Sequence, residues 1–180
     1  INALFHSSSG GMTENSEDVW SDPYPYLVTV KDFDQKNPKF KWNKEVSKSE
    51  LQEIFPLIGG IQQIKVLNIT KTGRVKNLKI SGIYGEKVIT GNDFRSKLSL
   101  KSTLFRPTIS KNIYDIEDLN NQSYMKSYPY LTISGFGAGH GVGMSQWGAR
   151  YMAKKGYKAN QILKYFYKGV NIKPFIQRYK

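Results

Sequence analysis

The segment Gly135-Phe136-Gly137-Ala138-Gly139-His140-Gly141-Val142-Gly143-Met144-Ser145-Gln146-Trp147-Gly148-Ala149 marks the place where the pattern of the chain changes. Five glycines at alternate positions are too many for ordinary strand packing. They clear side chains from one side of the backbone, so a ligand can come close, and a helix starting just afterwards offers free N–H groups and the positive end of its dipole. Ser145 is the expected N-cap of a helix carrying Trp147, Tyr151 and Met152, with Gly156 as its stop. Asn160 is placed to cap a second helix with Ile162, Leu163, Phe166 and Tyr167 at helical spacing. His140 and Gln146 add polar side chains at the same rim.

Upstream of this segment the signals are mostly β. Ile64 to Ile69 alternates in part, Lys71-Thr72-Gly73-Arg74 reads as a turn, and Val75 to Ser81 as the return strand of a hairpin. Further strands are expected at Ile1 to His6, towards Val30 after the turn residues of Ser21 to Pro25, at Thr103 to Ser110, and at Tyr130 to Ser134. Polar connectors are expected at 31–44 and 111–126. Ser47 with Glu50 gives a capping box for a short helix before Pro56, and Thr90 to Leu98 reads as another. Strands followed by a helical pair that packs on them give an α+β fold: a mixed β-sheet, a hairpin-rich middle region and a C-terminal helical hairpin. Residues 1–30 and 126–180 are expected to form a cleft-bearing core around a β-rich subdomain at 31–125.

Composition narrows the partners. The 180 residues are enough for a buried core. With 27 Lys and Arg against 14 Asp and Glu, the net charge is +13, spread along the chain, which points to an anionic partner met over a broad face. The absence of cysteine excludes disulfides, thiolate metal sites and a thiol nucleophile. No run of about 18 apolar residues is present. The start at Ile1, already inside an apolar stretch, suggests a segment removed upstream.

The glycine-rich segment fits neither the dinucleotide spacing nor the P-loop spacing, because His140, Val142 and Met144 fall where a further glycine is needed. A Ser145–His140 nucleophilic pair lacks an acidic residue nearby in sequence to orient the histidine, and Ser145 is needed as a cap. A second polar loop, Ser7-Ser8-Ser9-Gly10-Gly11-Met12-Thr13, has small hydroxyls and flexible residues that can turn backbone N–H groups outward.

Three groups of residues together resemble the stage II sporulation protein D family. The first is Phe5-His6-Ser7-Ser8-Ser9-Gly10-Gly11 with Thr13-Glu14. The second, weaker, is Gly91-Asn92-Asp93-Phe94-Arg95 through Leu100 with Ser102 and Phe105. The third and most specific runs from Gly139 to Ala149 and continues through Met152-Ala153-Lys154, Ile162-Leu163 and Tyr165-Phe166-Tyr167-Lys168-Gly169-Val170.

The resemblance implies a lytic transglycosylase of the bacterial envelope that cuts peptide-stripped glycan between N-acetylmuramic acid and N-acetylglucosamine, with one glutamate as acid and then base. In the family that glutamate lies upstream of the first loop, so no catalytic residue is carried over to this chain, which alone is expected to be inactive. The substrate-binding residues implied are His6, Ser7, Ser9, Gly10, Gly11, Thr13, His140, Gly141, Gly143, Ser145 and Gln146. Glu14, Glu17 and Asp18 are read as solvated carboxylates or as charges at a helix start. Some relatives hold zinc in the first loop. Here Met12, Glu17 and Asp18 stand beside His6 at the ligand positions, a poor donor set, so no metal and no cofactor are expected. The implied partners are glycan strands and a wall amidase or endopeptidase of the engulfment machinery, with no nucleic acid. The implied place is outside the cytoplasm at membrane and wall, between mother cell and forespore, with a membrane anchor upstream. The alternative is a non-catalytic wall-binding or amidase-enhancing module.

Overall fold

A computed structural model describes the chain except for residue 21 and residues 111–113, 120–121, 128–129 and 174–180; for 114–119 and 122–127 it describes the backbone alone. The chain divides into two compact units, residues 1–40 with 137–180, and residues 41–136.

The inserted unit holds most of the strands. β2 (Lys41–Val46), β9 (Leu131–Phe136) and β6 (Phe105–Ile109) form a sheet in that order, antiparallel throughout. β3 (Ile61–Ile69), β4 (Val75–Gly82) and β5 (Gly85–Thr90) form a meander, and β7 (Tyr114–Leu119) pairs with β8 (Gln122–Ser127). The expected hairpin at 61–81 is therefore present, with bulges near Ile61 and Asn68 that bend β3. β5 had no apolar alternation to announce it. It is an edge strand whose exposed face carries Glu86, bonded to Lys79 across the sheet at 2.8 Å.

Two helices cover this unit's core. α2 (Lys48–Ile54) starts where Ser47 accepts from Glu50 N–H, as its capping pattern predicts. α3 (Gly91–Lys97) is capped by Thr90, which accepts from Asp93 N–H and donates to the Asp93 carboxylate. Their apolar sides bury Leu51, Phe94 and Leu98 against Leu78, Ile80 and Leu131.

The other unit is built mainly from loops and helices. α1 (Ser16–Val19) is short; β1 (Phe5–His6) and β10 (Met144–Ser145) make a small parallel pair; α4 (Gln146–Lys154) and α5 (Ala159–Phe166) form the expected helical hairpin. Its core gathers Met152, Ile162, Phe166 and Tyr167 around Leu27, Val30 and Val142.

The α+β class thus holds, and several local expectations change. The strand expected towards Val30 is irregular, because Thr13 takes over its hydrogen bonds: Thr13 Oγ1 accepts from Val30 N–H and Thr13 N–H donates to the Val30 carbonyl. The strand expected at Ile1 to His6 narrows to Phe5–His6, which has one partner two residues long. The connector expected at 31–44 gives its end to β2, and the β7–β8 hairpin occupies the stretch where a loop was expected at 111–126. The last helix starts at Ala159, not after Asn160, since the Gln161 side chain reaches back to accept from Lys158 N–H at 2.7 Å. The helical hairpin meets loop residues of its own unit where a sheet face was expected, because β1 and β10 are too short to offer one.

Candidate functional site

The first and last sequence signatures are brought together by backbone hydrogen bonds. Ser8 and Ala138 exchange N–H···O bonds of 3.0 and 2.7 Å; Glu14 N–H donates to Gly141, Met144 N–H to Leu4, and Trp147 N–H to Ser7. The alternate glycines make this approach feasible. A Cβ on Gly137 would lie 2.6 Å from the Ser8 carbonyl oxygen, and one on Gly143 would lie 2.2 Å from that of Leu4. The space they clear is filled by the chain's own first loop, where the sequence had suggested a ligand.

Both histidines are engaged in this zipper. His140 Nδ1 accepts from Val142 N–H at 3.1 Å, which places the proton on Nε2, and Nε2 donates to the Phe5 carbonyl. His6 Nδ1 pairs with the Val142 carbonyl at 3.1 Å. The two rings lie 5.4 Å apart, and Trp20 lies 5.0 Å from His140, so a tilted row of three rings runs to the surface at Trp20.

Beneath the serine loop lie two residues that the sequence reading passed over as part of a polar connector. Asp32 and Asp34 are buried. Asp34 accepts from the Ser8 hydroxyl and from Gly10 N–H; Asp32 accepts from the Ser9 hydroxyl, more distantly from Ser9 N–H, and from Phe33 N–H. The Ser8 and Ser9 hydroxyls and the Gly10 N–H are turned in to these carboxylates, where backbone N–H groups of the loop were expected to point outward. An Asp-x-Asp pair places two carboxylates on one side of an extended segment, and that spacing was the available signal. Burial raises the Asp32 pKa, the Ser9 hydrogen bond opposes this, and the charge of Asp34 adds to it.

A pH dependence follows from that direction. A carboxyl whose folded pKa lies above its unfolded value contributes most below the ordinary aspartate pKa, near 4, and loses that contribution as pH rises through the raised value. Asp32→Asn keeps the shape and removes the charge. Thermal unfolding at about pH 4 and about pH 7 is expected to move in the variant's favour at the higher pH; parallel curves for both proteins would contradict the assignment.

The other expected site residues fall into two groups. Ser9, Thr13, Gly141, Gly143 and Ser145 are buried, and His6 nearly so. Ser145 caps α4 by accepting from Gly148 N–H at 3.0 Å and also hydrogen-bonds Asp32, so it belongs to the same network. Ser7, Gly10, Gly11 and His140 are half-exposed, and Gln146 is exposed. Glu14, read as solvated, is fully buried, because its segment pairs with Val142; Glu17 and Asp18 lie in the first turn of α1, as a helix-start charge should. Among the described residues no three His, Cys, Asp or Glu side chains converge on a point where a metal ion could sit. No described helix is long and apolar enough to cross a membrane.

The chain belongs to the family described as Domain of unknown function (DUF8618), whose model matches residues 25–143, and its curated homologues carry the name Stage II sporulation protein D, the family its motifs resemble. It is 35% identical over 175 residues to Stage II sporulation protein D of Bacillus subtilis (strain 168), and 36% identical over 176 residues to that of Bacillus amyloliquefaciens. Each alignment covers 96% of this chain and 45% of the relative. It is also 29% identical over 217 residues to the Amidase enhancer of B. subtilis (strain 168), covering 96% of this chain and 30% of that protein. The chain therefore spans less than half the length of these relatives.

These findings correct the expected activity. The relatives are named a sporulation protein and an enhancer of an amidase, not lytic transglycosylases, and nothing in their names supports an enzymatic activity for this chain. The lytic transglycosylase reading is accordingly replaced by the alternative stated beside it.

Proposed function

We propose that this chain is a non-catalytic module of the bacterial cell envelope that binds wall glycan and enhances a wall amidase. The observation that carries this reading is how the unit's reactive groups are used. Ser8, Ser9, Ser145, Asp32 and Asp34 hydrogen-bond one another or the backbone, which makes a rigid platform of them. What lies at the surface is the half-exposed run of Ser7, Gly10 and Gly11, the polar side chain of Gln146, and the rings of Trp20 and His140. Such a surface suits recognition of a glycan, in which sugar rings lie on flat faces and hydroxyls meet polar groups.

Charge supports the same reading. Glycan freed of its peptides carries a lactyl carboxylate on each muramic acid, and a chain of net charge +13 attracts such a polyanion. The likeness to an Amidase enhancer supports a wall amidase as the protein partner, and the likeness to Stage II sporulation protein D supports action during sporulation, outside the cytoplasm at the wall. In this reading the part formed by residues 1–40 and 137–180 carries the glycan-contacting face.

Co-sedimentation with peptide-stripped sacculi, with a wall amidase assayed in parallel, tests the proposal. The chain is expected to pellet with the glycan, to lose about tenfold in affinity between about 50 and about 500 mM salt, and to raise the amidase rate on intact sacculi. Failure to pellet and failure to stimulate would together reject it. Binding to DNA in preference to glycan would reject it in favour of a nucleic-acid partner.

A further inference from the structure

Away from the loop zipper, in the same unit, a cavity of about 450 Å³ is lined by Phe33, Tyr151, Met152, Lys155, Tyr157 and Tyr165. Its size lies within the range of small-ligand pockets, about 300–1,000 Å³. Phe33 stacks on Tyr151 with ring centroids 5.4 Å apart and planes 18° apart, and Tyr165 tilts against Phe33 at 6.1 Å. The phenol of Tyr165 is anchored by donating to the Lys31 carbonyl at 2.7 Å. Tyr157 stands 49% exposed on the turn that joins α4 to α5, free to cover a ligand from above.

Ammonium groups surround these rings. Lys155 Nζ lies 5.8 Å from the Tyr151 centroid, Lys168 Nζ 4.8 Å from that of Tyr165, and Lys31 Nζ 5.8 Å from that of Phe33. The nearby carboxylate of Asp32 is fully buried and hydrogen-bonded, and it is not part of the lining. An aromatic shelf with three exposed cations at its edge matches a ligand that has one apolar face and an anionic substituent.

We infer that this aromatic pocket is a subsite for an acidic sugar residue, a pyranose whose C–H face lies on the tyrosine rings and whose carboxylate meets Lys155. The inference rests on the glycan-binding reading above and names the second place on the module where a strand is held. A strand held at both the loop face and this pocket gains from the linkage of two modest contacts.

Binding of the whole 180-residue chain is measured by fluorescence titration with two soluble probes: peptide-stripped muramic-acid glycan, and chitin oligomers of equal length that lack the carboxylate. Tyr157→Ala and Lys155→Gln alter exposed side chains, so both variants are expected to melt at the wild-type temperature. Tyr157→Ala is expected to weaken both probes about fivefold, with Tyr157→Phe retaining the affinity. Lys155→Gln is expected to weaken the acidic glycan alone. Wild-type affinity in Tyr157→Ala and Lys155→Gln, with a wild-type chain that binds, overturns the pocket and leaves the glycan reading standing. Equal losses on both probes in Lys155→Gln overturn the carboxylate assignment. A wild-type chain that binds neither probe overturns the glycan reading and the pocket together.

Discussion

Gly148→Ala is expected to lower the stability of the chain by about 3 kcal/mol, although it adds one methyl group in a helix. A Cβ at this position would lie 1.8 Å from Asp32 Oδ1 and 3.0 Å from the ring of Phe166. A carboxylate oxygen at the end of a long side chain would swing aside at little cost. Asp32 is short, buried, and held by Phe33 N–H, the Ser9 hydroxyl and Ser145, so moving it breaks the bonds that fix the serine loop. The loss should therefore appear as lower cooperative stability in urea and as faster proteolysis within 7–11. Gly156→Ala is the control: nothing lies within 4 Å of its added methyl, and only the positive φ of 89° opposes it. A cost of about 1 kcal/mol is expected there. Equal costs at the two positions would remove Asp32 from the explanation.

Phe94→Ala is expected to cost about 3–5 kcal/mol, the range of large cavity-forming substitutions. Phe94 is completely buried and sits between two rings, stacked on Phe105 at 5.4 Å and on Phe55 at 6.3 Å. Because α3 and β6 both depend on it, neighbouring side chains cannot close the cavity without shifting a helix against a strand. Urea denaturation gives the value directly, and Phe94→Leu, which refills part of the volume, is expected to lose less. A loss below about 1 kcal/mol would mean that the inserted unit repacks, and that its aromatic stack is not what fixes α3.

The local grammar of this chain was readable where short-range physics decides the outcome. Ser47 and Ser145 cap helices as their positions predict, and Thr90, expected as the first residue of a helix, caps one, since a cap needs only residues three places apart. The hairpin at 61–81 was readable for the same reason. Asn160 failed as a cap because the helix begins one residue before it, with the Gln161 side chain reaching back to accept from Lys158 N–H, which leaves Asn160 inside the first turn. β5 was not readable as a separate strand, because an edge strand with a single buried residue, Ile89, carries no apolar period.

By itself, then, the sequence determined the α+β class, most helix starts, the net charge of +13, and the two glycine-bearing loops. Only the tertiary structure decided what those loops do. The alternate glycines of 137–143 leave room for something to come close, but sequence periodicity cannot say whether the visitor is a ligand or the chain itself; here Ser8, His6 and Leu4 meet Gly137, Gly139 and Gly143. Asp32 and Asp34 look like connector charges until the fold removes them from water and gives them the Ser8 and Ser9 hydroxyls. The physical reason is the same in both cases: hydrogen-bond partners and steric neighbours more than twenty residues apart are chosen by the fold, whereas propensity and period report only on a few neighbouring residues.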